Sequence, residues 1–337
     1  VYLGNIYEPP LHYHYLKRPY QLEPLTAATM PTVRYFDEQG RALPSNAEPS
    51  RIALSEYEIR IKPGIRYQPH PCFARKADGT QRYMPIDAAE LARIDRFEAF
   101  PEKGSRELVA DDYVYQIRRL ANPRVQSPVL GMMGDYILGL KDLAKALASD
   151  AKSVPKEAYL DIGRYELPGA YVVDRYTYRI RIKGKYPQFM YWLAMPFFAP
   201  VPEEAERFYR QPGMQAKNFT LDWQPVGTGA YYLAENDPNL IMRLERNPYY
   251  RDDFYPAEGA PGDREAGLLD DAGKRLPMVD TVIYSLEKEN VPYWNKFLQG
   301  YYDASGISSD SFDQAIRIRP DGEPDLTPEM RERGIRL

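Results

Sequence analysis

The chain holds a single cysteine, Cys72, among 337 residues. One thiol excludes an internal disulfide and a cysteine-based zinc site. Histidine is nearly as scarce: His12, His14 and His70 are the whole set. His12 and His14 fall on one side of LHYHY if that stretch is extended, but two imidazoles do not complete a metal site, so packed or surface histidines are expected. No run approaches the ~20 apolar residues of a membrane helix; the most apolar window, WLAMPFFAPVP at 192–202, is interrupted by prolines. Basic residues form no stripe. With 44 Lys and Arg against 48 Asp and Glu, the net charge is −4, and the electrostatic footprint of a nucleic-acid partner is missing.

Catalytic signatures are missing as well. There is no P-loop, no GxGxxG, no GxSxG and no HExxH. Cys72 lies two residues from His70 in PHPCF, with nothing else to support a Cys–His nucleophile. Asp111 and Asp112 are adjacent, so on a helix they diverge by roughly 100° and cannot act as a facing acid and base; they read as charge at a helix N-terminus. A carbohydrate-active enzyme would need two carboxylates placed across a cleft, and no such pair stands out. The expectation is a non-enzymatic protein with no metal and no cofactor.

Proline and tyrosine are abundant, with 31 and 29 residues. Proline fixes turns and shortens helices. Tyrosine packs with its ring and hydrogen-bonds with its tip, which suits both ordinary strands and binding surfaces. The length predicts two packed units. Alternation predicts strands over Ser55–Lys62 (SEYEIRIK) and Arg175–Lys183 (RYTYRIRIK), alike enough to pair. Helical spacing predicts helices over Val109–Leu120, Tyr136–Leu147, Pro187–Ala194 and Pro292–Gln299, with a shorter one near Asp87–Phe97 capped by Asp87. Gly227–Leu233 and Leu240–Arg246 read as a hairpin, Val279–Leu286 as a strand, and 250–274 as a surface loop. Strands and helices alternate, which gives an α/β class with mixed sheets flanked by helices.

Six segments, in order, resemble the bacterial extracellular solute-binding proteins of family 5, which serve dipeptide, oligopeptide and nickel importers. They are IYEP at 6–9, YEIRIKPG at 57–64, LVADDYVYQIRRLANPRVQSP at 108–128, the strand at 176–187 with MPFFAPVPEE after it, PVGTGAY at 225–231 with LERNPYY at 244–250, and Val279 to QGYYD at 299–303. The GTG and RNPYY pair is the most specific. The chain departs from the family in its long stretch between Ile65 and Glu107, in Val109 before the Ala-Asp pair, in Ala230 after GTG, and in an expanded loop at 250–274.

The resemblance implies a type II periplasmic binding protein-like fold of the large cluster, with an extra inserted lobe. It implies that residues 1–200 are the inserted α+β lobe following the start of the main lobe, and 201–337 part of α/β main lobe I. The chain is expected to be a fragment lacking the first main-lobe strand and the third lobe. Val1 is not an initiator methionine and no signal peptide is visible, so a processed or cut product is expected. The implied function is the substrate-binding component of an ABC importer. It captures oligopeptides by lobe closure and delivers them to permease subunits as a monomer, in the periplasm or extracytoplasmically, membrane-associated if lipid-anchored. The alternative is a carbohydrate-binding or carbohydrate-active protein with a Tyr-lined cleft. The implied ligand-binding residues are Tyr7, Glu8, Met195, Phe197, Phe198, Gly227, Thr228 and Gly229. For Gly227 and Gly229 the turn itself is the competing explanation; for Phe197 and Phe198 it is packing.

Overall fold

The two alternating segments are neighbours at the centre of the largest sheet. The computed structural model describes residues 2–237 and 239–337. A small hairpin comes first, β1 (Leu11–Tyr13) with β2 (Leu22–Pro24). The large sheet follows: β3 (Thr32–Phe36), β4 (Ala42–Leu43), β5 (Leu54–Arg60), β6 (Ala170–Asp174) and β7 (Thr177–Lys183), in the order β4-β3-β5-β7-β6 with antiparallel neighbours. In β5 and β7, Tyr57 pairs with Ile180 and Ile59 with Tyr178. Tyr57, Ile59, Tyr178, Ile180 and Ile182 are all buried. The period-2 pattern thus fixes one buried face and the register with it.

The opposite face is less exposed than alternation alone suggests. Glu56 belongs to the polar set, yet its side chain is only 2% exposed. Arg181 Nε at 2.7 Å, Arg34 at 3.3 Å and Arg179 at 3.7 Å surround it, and the Tyr171 hydroxyl donates to it at 2.9 Å. A buried carboxylate persists only with such partners.

Six helices belong to the same part of the chain: α1 (Ala88–Ala92), α2 (Ala110–Arg119), α3 (Leu130–Tyr136), α4 (Leu140–Asp150), α5 (Phe189–Trp192) and α6 (Glu203–Tyr209). Asp87 caps α1 as expected, accepting from the amides of Ala89 and Glu90. At α2 the expected acidic N-terminus is present. The Asp112 carboxylate accepts from the Val109 amide at 3.0 Å and from Arg106 at 2.6 and 2.8 Å. Helix α2 covers the apolar sheet face, with Tyr113 stacked on Tyr178 at 5.0 Å.

The expected helix over Tyr136–Leu147 is instead two helices. Ile137 is extended and bridges Ile182, and Gly139 takes φ +76°, so the chain breaks before α4 restarts. Helix α6 has no counterpart among the sequence expectations. Its apolar residues Ala205, Phe208 and Tyr209 are buried, but a proline-rich approach and a three-glutamate start hide the period.

Three further strands, β8 (Tyr231–Asp237), β9 (Ile241–Arg246) and β10 (Thr281–Ser285), form a sheet in the order β10-β9-β8. The chain divides into two compact units. The first comprises 1–236 and 243–282; the second comprises 237–242 and 283–337. Residues 201–236 pack within the first unit. The second unit holds α7 (Asn290–Leu298), α8 (Ser309–Ala315), the hairpin β11 (Ile316–Ile318) with β12 (Pro324–Leu326), and α9 (Pro328–Glu332). Its own core is Trp294, Ala315, Ile316, Leu326 and Met330. The expected helix at Pro292–Gln299 is α7, with Pro292 in its first turn and Gly300 at φ +82° just beyond it.

Candidate ligand-binding site

The GTG and RNPYY segments, twenty residues apart, meet in the first unit and clamp the start of the chain. Residues Tyr2–Asn5 form a single 3-10 turn, and the Ile6 carbonyl accepts from the Gly229 amide at 2.9 Å. This approach leaves no room for side chains. A Cβ on Gly227 would lie 1.9 Å from the Ile6 oxygen, and one on Gly229 would lie 2.2 Å from the Asn5 oxygen. Gln68 locks the turn from the other side. It donates its amide to the Gly227 carbonyl, accepts from the Gly227 amide and donates Nε2 to the Pro225 carbonyl, each at 3.0 Å.

Asn247 of the RNPYY segment completes the clamp. Its Nδ2 donates to the Gly229 carbonyl at 3.0 Å, and its own amide donates to the Ala230 carbonyl at 2.9 Å. Its Oδ1 accepts from the Tyr249 amide at 3.1 Å. The turn this sets leads directly to Arg251. Arg251 Nη1 donates to both oxygens of Glu8, at 2.8 and 2.7 Å. Thr228 Oγ1 donates to Glu8 Oε2 at 2.9 Å. Glu8 is 5% exposed. Burial works against the Arg251 charge, but Glu8 more than offsets it, and the guanidinium pKa is raised.

These groups form one side of a cavity of about 1040 Å³, lined from residues 4–25, Lys62, Ala194, Pro196 and the stretch 229–278. His12 faces Glu23 across 2.9 Å, and burial pulls its pKa below the usual value against the pull of Glu23. Lys17 pairs with Glu258 at 2.7 Å. Tyr250 donates its hydroxyl to Asp253 at 2.7 Å. Aromatic rings edge the same cavity: Tyr15 meets Tyr255 edge-to-face at 5.8 Å, and Phe254 is 55% exposed. The wall therefore combines apolar rings with internally paired charges, the mix found in sites for small organic ligands.

The expected site residues separate on this geometry. Tyr7, Glu8 and Gly229 line the cavity. Tyr7 is half-buried, and burial pushes its hydroxyl pKa up to about 12. Thr228, 1% exposed, stands behind the wall and holds Glu8. Gly227 serves the clamp. Met195, Phe197 and Phe198 are not among the lining residues, although their neighbours Ala194 and Pro196 are. Phe198 is buried against Phe189 at 5.7 Å, and the Phe197 carbonyl accepts from Gln116 at 3.0 Å. Met195 is exposed. Sequence reading missed Lys62, Arg251 and Asp253 as wall residues.

The Cys72 and His70 pair is structural. His70 Nδ1 accepts from the Cys72 amide at 3.1 Å, and Nε2 shares a hydrogen bond with the Tyr209 hydroxyl at 2.7 Å. Burial lowers the His70 pKa to about 3 and pushes the Cys72 thiol well up. A buried, protonated thiol is no nucleophile. Among the described residues, no group of three or more His, Cys, Asp and Glu side chains is placed to hold a metal ion.

Residues 104–331 match the middle region of the bacterial extracellular solute-binding proteins, family 5. That is more than half of the chain, and the chain belongs to this family, a family of binding proteins. The periplasmic oligopeptide-binding protein OppA of Salmonella typhimurium is 28% identical over 146 residues, 43% of this chain and 23% of that protein. The substrate-binding domain of an oligopeptide ABC transporter from Bacillus anthracis str. Ames has a TM-score of 0.52 at 16% identity, over 93% of this chain and 41% of that one. Listeria monocytogenes OppA bound to peptide has a TM-score of 0.52 at 14% identity, over 92% and 42%. The fold is therefore that of periplasmic binding proteins of this family, mixed α/β, and the chain spans less than half the length of these relatives.

Proposed function

We propose that this protein captures oligopeptides outside the cytoplasm and delivers them to the permease subunits of an ABC importer, acting as a monomer. The observation that carries the reading is the cavity of about 1040 Å³, edged by tyrosines and lined by paired charges, in a chain of this family. An extended peptide suits such a wall. Its main chain takes hydrogen bonds whatever its sequence, and apolar rings tolerate varied side chains. Charged groups at the peptide ends meet charge-assisted partners. Tyr7 and Gly229 are placed to touch the peptide, and Glu8 holds the wall in shape through Arg251 and Thr228. Lobes at 1–200 and 201–337 close on the ligand, and the cavity is lined from both stretches. An extracytoplasmic location fits the family, and no helix among the described residues is long and apolar enough to cross a membrane.

The relatives favour peptides over carbohydrates. Salmonella OppA and the Bacillus protein carry oligopeptide names, and the Listeria structure holds a peptide. Isothermal calorimetry against pools of di- to pentapeptides, with oligosaccharides as the contrasting arm, tests the reading. Saturable heat is expected with peptides and none with sugars. Heat with sugars alone would overturn it.

A further inference from the structure

We propose that the outward face of the large sheet is a docking surface for an anionic lipid bilayer, its guanidinium and ammonium groups meeting the lipid phosphates. None of the residues of this face lines the cavity, so the inference goes beyond the peptide reading and does not depend on it.

Alternation builds the face. Tyr57 and Ile59 of β5 and Tyr178, Ile180 and Ile182 of β7 are buried, so the residues between and beyond them point the other way. That puts Glu56, Glu58 and Arg60 outward on β5 and Arg179, Arg181 and Lys183 outward on β7. The register then sets the glutamates among arginines. Glu56 lies opposite Arg34 of β3 on one side and Arg181 on the other, and Glu58 lies opposite Arg179. The charges are layered as well. The Glu56 side chain is 2% exposed, while Arg34, Arg179 and Arg181, which pair with it, are 45%, 25% and 38% exposed. The carboxylate is sunk and the guanidiniums stand over it, so what meets solvent there is mainly cationic.

These cations keep donors for a partner. Arg181 gives Nε to Glu56 at 2.7 Å and Arg34 gives Nη2 to Glu58 at 3.0 Å, out of the five donors a guanidinium carries. Arg60 and Lys183 are exposed, and among the described residues neither side chain forms an ion pair or a hydrogen bond. Asp174, opposite Thr177 on β6, is the one further carboxylate in the strands of this sheet. The strands thus set five cations against three carboxylates, in a chain whose net charge is −4. Two features choose the occupant. Lys183 lies opposite Leu54, and Arg60 is the last residue of the same strand as Leu54, which spaces the two cations by about 20 Å along the sheet. A small anion cannot span that distance, whereas a layer of headgroups can. Charged residues are also depleted at the core of protein–protein interfaces, and the centre of this face is charged. Guanidinium forks match phosphate oxygens, and each basic group close to an anionic bilayer adds to the attraction.

The test is flotation of the protein with vesicles of phosphatidylcholine alone and of phosphatidylcholine mixed with phosphatidylglycerol, at low and at high salt. Wild type is expected to float with the anionic vesicles only, and to be released at high salt, which screens exposed charges. Arg60→Gln combined with Lys183→Gln is expected to weaken binding about thirtyfold, the worth of two basic residues at an anionic surface. Lys152→Gln combined with Lys156→Gln makes the same change of charge at exposed positions outside the sheet and is expected to bind as wild type does. Equal losses in the two double variants would overturn the proposal, because net charge and not this face would then govern binding. Equal flotation with neutral and anionic vesicles, or none with either, would overturn it as well. Displacement by inorganic phosphate at constant ionic strength would replace the bilayer by a small anion. Retention of polyglutamate by a protein that ignores the anionic vesicles would replace it by an acidic protein partner. The wild-type arms decide the matter even if a variant does not fold, and none of these outcomes bears on peptide binding in the cavity.

Discussion

Arg251→Met is expected to destabilise the first unit by about 3–5 kcal/mol, the usual cost of stranding one member of a buried ion pair. The pair qualifies because the side chains of Arg251 and Glu8 are only 15% and 6% exposed. Without the guanidinium, Glu8 keeps the Thr228 hydroxyl and loses two charge-assisted bonds. The carboxylate would then sit buried at the cavity wall with one neutral donor. Glu8→Gln combined with Arg251→Met removes both charges and is expected to recover much of the loss, because replacing a whole buried pair is far cheaper than breaking it. Urea unfolding at equilibrium, followed by tyrosine fluorescence, reads both variants. A loss below about 1 kcal/mol for the single variant would place the pair with ordinary surface salt bridges and remove it as the brace of the site.

Gly227→Ala should cost about 3 kcal/mol or more, at the upper end for added atoms in a packed interior. The reason is not backbone conformation but distance: the new Cβ would lie 1.9 Å from the Ile6 carbonyl oxygen, a backbone atom with no rotamer to change. Either the initial segment lifts off or the turn at 227–229 moves, and in both cases Tyr7 and Glu8 leave the cavity wall. Gly131→Ala is the control for the same chemical change. Gly131 is exposed in helix α3 with nothing within 4 Å of its added Cβ, so it is expected to be neutral or stabilising by about 0.5–1 kcal/mol. Thermal unfolding of the two variants side by side separates them. Similar midpoints would show that the initial segment does not rest on the turn.

Much of the scaffold was legible because its signals are local. Period-2 alternation in SEYEIRIK and RYTYRIRIK was enough to give two strands and their pairing, since both bury the same kind of face. Asp87 and Asp112 announced helix starts through carboxylates next to unpaired amides. The break at Ile137–Gly139 was not legible, because nothing in LGL says that Ile137 will pair with Ile182, forty-five residues later in the chain. Glu56 shows the same limit: alternation assigned it to the polar face but not to a cage of three arginines.

The site was legible in part, and for a different reason. GTG and RNPYY were singled out by resemblance, and the structure gives them a physical task, one turn fitted against Ile6 and one asparagine holding that turn. Of the residues the resemblance named, Tyr7, Glu8 and Gly229 line the cavity, while Gly227, Thr228, Met195, Phe197 and Phe198 are not among its lining residues. Lys62 and Arg251 went unremarked because their meaning lies in partners far away in sequence. Glu8 and Arg251 are 243 residues apart, and no local pattern joins them.

The most direct test of the central claim is photo-labelling with a peptide carrying a benzophenone side chain, followed by mass mapping of the adducts. The account predicts saturable labelling, competed by unlabelled peptide, on cavity residues such as Tyr15, Tyr255 and Met278. Saturable labelling confined to residues outside that cavity would contradict it, as would labelling that competitor peptide does not displace.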